Sequence, residues 1–258
     1  MKVQLLPSTI DESGRASARQ HLMSIIIDDC VAIDAGSLAF SCSDVQRRDV
    51  RDIVLTHTHL DHIAGLPLFI DDLFASLKEP INIHATDEII EILENDIFNW
   101  AVYPRFSELS NGSCAVIRYC SFEQGGRFSV RHLDLLSVPV NHKIAANGYI
   151  VSDGNGSVGI TGDTSETDDI WERFNETADL RAVLVECAFP NELSQLAEVS
   201  NHLTPQKLER EIEKLNRSDC ELFVINIKPM YRDQILAELD ELNTDRLQVF
   251  EVGKVYEF

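Results

Sequence analysis

The chain reads as an α/β protein with two sheets and helices on their outer faces. Three features point there. Short apolar strands meander from Met1 to Ile33, strand and helix alternate from Ile53 onward, and no repeat, low-complexity tract or Pro/Gly/Ser-rich linker interrupts the pattern. At 258 residues, 44% hydrophobic and 25% charged, the chain is long enough for a large core and ordinary in composition, and it reads as one domain over residues 1–258.

Met1 to Leu6 reads as a first strand, too short in apolar length for a signal peptide, and a polar loop follows from Ser8 to Arg19. Leu22–Ile27 and Cys30–Ile33 suggest a hairpin across Asp28-Asp29, closed by the turn Asp34-Ala35-Gly36. Asp52–Leu55 is a buried strand, and apolar residues at helical spacing run from His62 to Ser76. Ile81–His84 is a short strand, after which Thr86 caps a helix reaching Ile97. Residues 99–126 are irregular and suggest an excursion bordering an active site. Arg127–Pro139 is strand-like, and Gly148–Val151 with Ser157–Thr161 forms a hairpin around Asp153-Gly154-Asn155-Gly156. Helix Glu166–Phe174, strand Ala182–Val185, helix Thr204–Leu215, strand Glu221–Ile227, helix Arg232–Leu242 and strand Leu247–Val252 complete the order.

The net charge of −21 argues against nucleic acid and anionic membranes as partners, because there is no surplus of Lys or Arg to neutralise phosphates. A small anionic substrate fits if bound cations reverse the local field. The six cysteines are scattered without a C-x-x-C pair, as in a reducing compartment, and no run approaches membrane-spanning length, so a cytoplasmic location is expected.

The chemistry concentrates in Thr56-His57-Thr58-His59-Leu60-Asp61-His62, which follows the strand ending at Leu55. Three of the eight histidines lie here. Where a strand ends, ligands two apart face the same way, so His57 and His59 can grip one cation, while Asp61 and His62, past the bend, are available to a second. Two further candidates stand at strand ends: His142 after Val138-Pro139-Val140, and Asp163 in Gly159-Ile160-Thr161-Gly162-Asp163-Thr164. Taken alone, Asp163 would serve equally as a turn or capping residue and His142 as a core histidine.

This order of motifs resembles the metallo-β-lactamase superfamily of binuclear metal hydrolases along nearly the whole chain, and Asp34-Ala35-Gly36 resembles its early Asp-x-Gly turn. The resemblance implies a four-layer αβ/βα sandwich with the metals at the sheets' shared edge. By position it places His57, His59 and His142 on a first metal, Asp61 and His62 on a second, and Asp163 between them. Within the superfamily, His57 to Leu66, Phe189-Pro190-Asn191, Asn201-His202-Leu203-Thr204-Pro205 and Ile227-Lys228-Pro229 are similar to class II 3′,5′-cyclic-nucleotide phosphodiesterases. Two positions depart from that pattern. Pro67-Leu68-Phe69-Ile70-Asp71 replaces the usual aliphatic and Ser continuation, and Asn226 stands where a His commonly supplies the last ligand of the second metal. As an amide, Asn226 would be a weak ligand beside imidazole.

The expectation is therefore hydrolysis of cyclic AMP or cyclic GMP to the nucleoside 5′-monophosphate by two divalent cations, zinc first, with Mn2+ and Fe2+ as alternatives. His202, in the loop before the Thr204-Pro205 helix start, is the expected general acid, and Asp61 also orients the nucleophile. Lys228, Asn147 and Thr164 are expected at phosphate or ribose, although a solvated charge and turn chemistry account for them equally. Glu186, ending an apolar strand, is a candidate support for the site. A small-molecule cyclic nucleotide is the expected partner, and the resemblance implies a homodimer. The rival expectations are another hydrolase of this fold, acting on phosphodiesters, thioesters or lactams, and a non-catalytic binder of nucleotide or metal.

Overall fold

Strands that begin antiparallel and turn parallel organise both halves of the chain. The computed structural model describes residues 1–242, 244 and 246–258. Two units emerge: residues 1–17, 22–123 and 252–257 form the first, and residues 18–21, 124–251 and 258 the second.

The first unit carries β1 (Lys2–Leu5), β2 (Ile25–Ile27), β3 (Val31–Ile33), β4 (Asp52–Val54), β5 (Ile81–Ala85) and β6 (Ile117–Ser121). Strands β1 to β3 are antiparallel neighbours, and β3 to β6 run parallel. Ile26, Ala32, Ile53 and Ile83 align across β2 to β5. They share one core with Leu38 of α1 (Leu38–Ser41), with Leu66, Phe69 and Ile70 of α4 (Leu66–Leu73), and with Ile89 of α5 (Asp87–Ile92). The alternate residues Ile25, Ile27, Val31, Ile33 and Val54 are also buried, as expected for strands covered on both faces.

The second unit repeats the plan with β7 (Arg127–Val130), β8 (Leu133–Pro139), β9 (Asn147–Ser152), β10 (Ser157–Ile160), β11 (Leu180–Glu186), β12 (Glu221–Ile225) and β13 (Leu247–Val249). Here β7 to β10 are antiparallel and β10 to β13 parallel. Ile150, Val183 and Leu222 pack with Ile170, Trp171 and Phe174 of α6 (Asp169–Glu176), Leu208 and Ile212 of α8 (Pro205–Ile212), and Ile235 of α9 (Arg232–Asp240). Each unit is thus a seven-stranded mixed sheet with helices packed against it, the α/β pattern that the sequence predicts.

Local departures have local causes. The helix expected from His62 to Ser76 is two pieces, α3 (Leu60–Ile63) and α4, separated at Ala64-Gly65. Arg127–Pro139 is a hairpin, because Arg131 adopts a left-handed turn with φ of 54°. The irregular stretch holds β6, and a last strand, β14 (Val255–Glu257), pairs with β1. Helix α2 (Asp44–Asp49) also lies outside the sequence expectation, yet its signal is legible. Ser43 Oγ accepts from Gln46 N at 3.2 Å while Gln46 Oε1 accepts from Ser43 N at 2.9 Å, a reciprocal cap.

Topology places the chemistry. Strands β3 and β4 run the same way, so their ends bring Asp34 and Thr56-His57 to one edge of the first sheet. Strands β8, β10, β11 and β12 likewise share a direction, which brings the residues after Pro139, Ile160, Val185 and Ile225 to one edge of the second. The first edge is held by close backbone packing. A Cβ on Gly36 would lie 1.9 Å from the Asp61 carbonyl oxygen, which itself accepts from Met23 N at 2.7 Å. Ala35 N donates to the His62 carbonyl at 2.8 Å. Only glycine allows the histidine loop to sit on the β3 turn. Gly36→Ala is expected to displace that loop and lower stability by about 1–3 kcal/mol, measured by denaturant unfolding; unchanged stability would show that the contact yields freely.

Candidate metal centre

In the first unit one buried carboxylate orders the loop. Asp34 follows β3 with φ of 60°, a left-handed conformation that Asp tolerates. Its Oδ1 accepts from Thr56 N at 2.8 Å, and its Oδ2 accepts from Thr56 Oγ1 at 2.8 Å and from His62 Nδ1 at 2.6 Å. Thr56 has spent its only proton on Asp34, so its oxygen accepts from His57 Nδ1 at 2.9 Å. Both imidazoles thus carry hydrogen on Nδ1 and present Nε2 as a lone pair, the tautomer a metal ligand needs.

His57 Nε2 lies 3.1 Å from His59 Nδ1, with the ring planes 84° apart. Two nitrogens on one tetrahedral zinc stand about 3.3 Å apart when each bond is about 2.0–2.1 Å. The pair fits a shared cation. His62 packs with its ring centroid 4.1 Å from that of His57. Asp61 sits in the first turn of α3 with its side chain half-buried.

The second unit supplies an opposite kind of order. His142 Nδ1 donates to the Asn201 carbonyl at 3.1 Å, which leaves Nε2 for a ligand role. Asn201 offers that oxygen from a left-handed position that ends α7 (Ser194–Ser200). Asp163, 2% exposed, follows Gly162, whose φ of 62° suits glycine at this sharp bend. Ligand atoms of His142, Asp163 and His202 all lie within 4.8 Å of one another.

Glu186 is fully buried at the end of β11 and accepts four hydrogen bonds. Its Oε1 takes Thr164 N at 3.0 Å and His202 Nδ1 at 2.7 Å, while Oε2 takes Ala188 N at 3.0 Å and Leu203 N at 3.3 Å. The consequence is a split between two histidines whose ring centroids are 5.1 Å apart. Burial lowers the His142 pKa, and Asp163 and the Asn201 carbonyl restore only part of it. Burial also opposes charge on His202, but the Glu186 carboxylate and then Asp163 outweigh it and raise its pKa. A neutral imidazole suits a cation, and a protonated one suits proton donation. The neighbours therefore move the two rings in opposite directions, although both lie beside Asp163.

The remaining predicted residues take varied positions. Asn226, after β12, donates through Nδ2 to Asp163 Oδ1 at 2.6 Å. Lys228 is half-buried beyond it and acts electrostatically on His202. Asn147 is fully buried in β9, and its Oδ1 accepts from Ser137 Oγ at 3.0 Å, which points to a core role. Thr164 is buried too, its hydroxyl donating to the Ser165 carbonyl and accepting from Asn141 N. Sequence reasoning assigned no chemical role to Thr56 or Asp34. The signal for both was a buried strand end carrying a hydrogen-bonding side chain. Phe189 was also passed over as a functional residue; its ring meets His202 edge-on at 5.5 Å and restricts the imidazole's rotation.

Asp34→Asn is expected to leave the fold in place but to weaken divalent-cation binding about 10–100-fold, because the carboxylate that orients His62 and, through Thr56, His57 is lost. Competition with a chromophoric chelator measures this. Unaltered affinity would mean the rings hold their orientation without Asp34.

Comparison with known proteins shows the family. The family model described as "Beta-lactamase superfamily domain" matches residues 26–222. A probable 3′,5′-cyclic-nucleotide phosphodiesterase of Yersinia pestis is 25% identical over 229 residues, covering 76% of this chain and 64% of that protein. A ribonuclease Z of Methanococcus maripaludis is 25% identical over 131 residues, covering 49% of this chain and 39% of the relative. The chain thus spans less than two thirds of the length of either relative. Among solved structures, unliganded yeast PDE1 superposes with a TM-score of 0.76 at 15% identity, covering 98% of both chains. The chain belongs to the β-lactamase superfamily domain family and has the metallo-β-lactamase fold.

Proposed function

We propose that this protein hydrolyses 3′,5′-cyclic nucleotides to nucleoside 5′-monophosphates. In this reading His57, His59, Asp61 and His62 of the first unit and His142 and Asp163 of the second would be the residues that hold divalent cations. The observation that carries the proposal is the pairing of two imidazoles beside Asp163, ring centroids 5.1 Å apart, one donating to the Asn201 carbonyl and the other to the buried Glu186 carboxylate. The similarity to the Yersinia phosphodiesterase supports the substrate class.

Bound divalent cations supply Lewis acidity, bringing the pKa of water toward neutrality and offsetting phosphate charge. The chain's own residues do the rest. His202 keeps its Nδ1 proton on Glu186 and holds a second on Nε2, which is the proton given to the departing 3′ oxygen. Glu186 stabilises the imidazolium until that transfer and fixes the ring plane. Asp61 orients the attacking water, and Lys228 adds positive charge for the phosphate. In a chain with 43 acidic against 22 basic side chains, an anionic substrate depends on such local cations.

The ribonuclease Z match favours a second reading, an RNA phosphodiester as substrate. The net charge of −21 weighs against it, since a nucleic-acid backbone would meet a repulsive surface. The deciding experiment reloads the protein with Zn2+ or Mn2+ and presents cyclic AMP, cyclic GMP, bis-aryl phosphate, a lactam and a short RNA, with products identified. Formation of 5′-monophosphates from the cyclic nucleotides supports the proposal, and turnover of RNA or lactam without them refutes it.

Two variants test the roles. Asp163→Ala is expected to abolish turnover and to remove most bound cation, measured by elemental analysis; retained cation and activity would refute its ligand role. His202→Ala is expected to slow cyclic-nucleotide hydrolysis about 10²–10⁴-fold while sparing activated aryl phosphates, whose leaving groups need no proton. Equal losses on both substrates would remove the general-acid assignment.

A further inference from the structure

Asn226 occupies a left-handed position just after β12, with φ of 54°, and its side chain is buried. At 2.6 Å from Asp163 Oδ1 the amide must present its nitrogen, since an amide oxygen at that distance from a carboxylate would be repelled. An amide NH2 has no lone pair to offer a cation. The same contact fixes the orientation of the carboxylate most suited to serve a metal and takes one lone pair of its Oδ1. Without Asn226, the second unit offers a cation His142 through Nε2 and the Asp163 carboxylate, with His202 committed to Glu186.

We propose that Asn226 is a positioning residue and not a ligand: it fixes Asp163 by hydrogen bonding, so that the centre holds one divalent cation tightly and exchanges a second readily. The inference rests on the metallohydrolase reading above and deepens it. It gives the protein a mononuclear resting form and makes occupancy of the second position depend on free cation concentration. Activity in that case rises with added metal beyond one equivalent per chain.

The test measures metal directly. Wild type, Asn226→His and Asn226→Ala are stripped with a chelator, reloaded with Zn2+, desalted and analysed for zinc per chain. Affinities come from competition with a chromophoric chelator. Left-handed backbone accommodates His as it does Asn, so the His variant keeps the local fold, and thermal unfolding checks it. Wild type is expected to retain one zinc and Asn226→His two, with the weak site tightened by at least about tenfold. Asn226→Ala is expected to keep the wild-type stoichiometry while its tight site weakens, because Asp163 has lost its donor. Two zincs on the wild type and one on Asn226→Ala would overturn the proposal by making Asn226 a ligand. That comparison stands even where the His variant fails to fold. No zinc on any of the three would instead bring down the metallohydrolase reading itself.

Discussion

Two buried carboxylates, each just past or at the end of a parallel strand, govern the arrangement of the candidate centre. Asp34 accepts from Thr56 and His62, and Glu186 accepts from His202 and three backbone amides. Burying a carboxylate is unfavourable unless its lone pairs are filled, so each acid organises the donors around it. The donors include imidazoles, and their orientation and protonation follow. In the first unit the result is a set of ring nitrogens presented as lone pairs. In the second it is a histidine whose pKa the Glu186 carboxylate raises against the effect of burial.

The same residue type thus takes on two different characters because its neighbours differ. His142 donates to a carbonyl, which fixes its tautomer without stabilising a positive charge as strongly as a carboxylate would. His202 donates to a carboxylate that is itself completely enclosed, which favours the imidazolium. Burial acts against protonation in both. Only the partner reverses the direction, so two adjacent rings respond oppositely to the same burial.

Much of this was legible in the amino-acid order. The β-branched run before His57, the glycine bend before Asp163 and the apolar strand ending at Glu186 each announce a polar group at a strand end. The alternation of strands and helices is equally plain, because periodicity reports burial directly. The sequence was less informative where pairing depends on distant partners. Strand β6 is short and flanked by irregular chain, and β14 is recognisable only through its pairing with β1. Hydrogen-bond direction was the least accessible feature. Asn226 looks like a weak ligand by its rank in the chain, and only the 2.6 Å contact identifies its nitrogen as the facing atom. Asn147 and Thr164 carry side chains suited to ribose or phosphate, yet the core and the loop engage them first.

Helix α7 buries only Ala197 among its seven residues, and its left-handed end supplies the carbonyl that fixes the His142 ring. A short helix anchored by one small side chain opens more cheaply than the sheet beside it. When it frays, His142 loses its tautomer constraint while the strands remain folded. The orientation of that imidazole is thereby coupled to a local melting event that leaves both flanking strands in place.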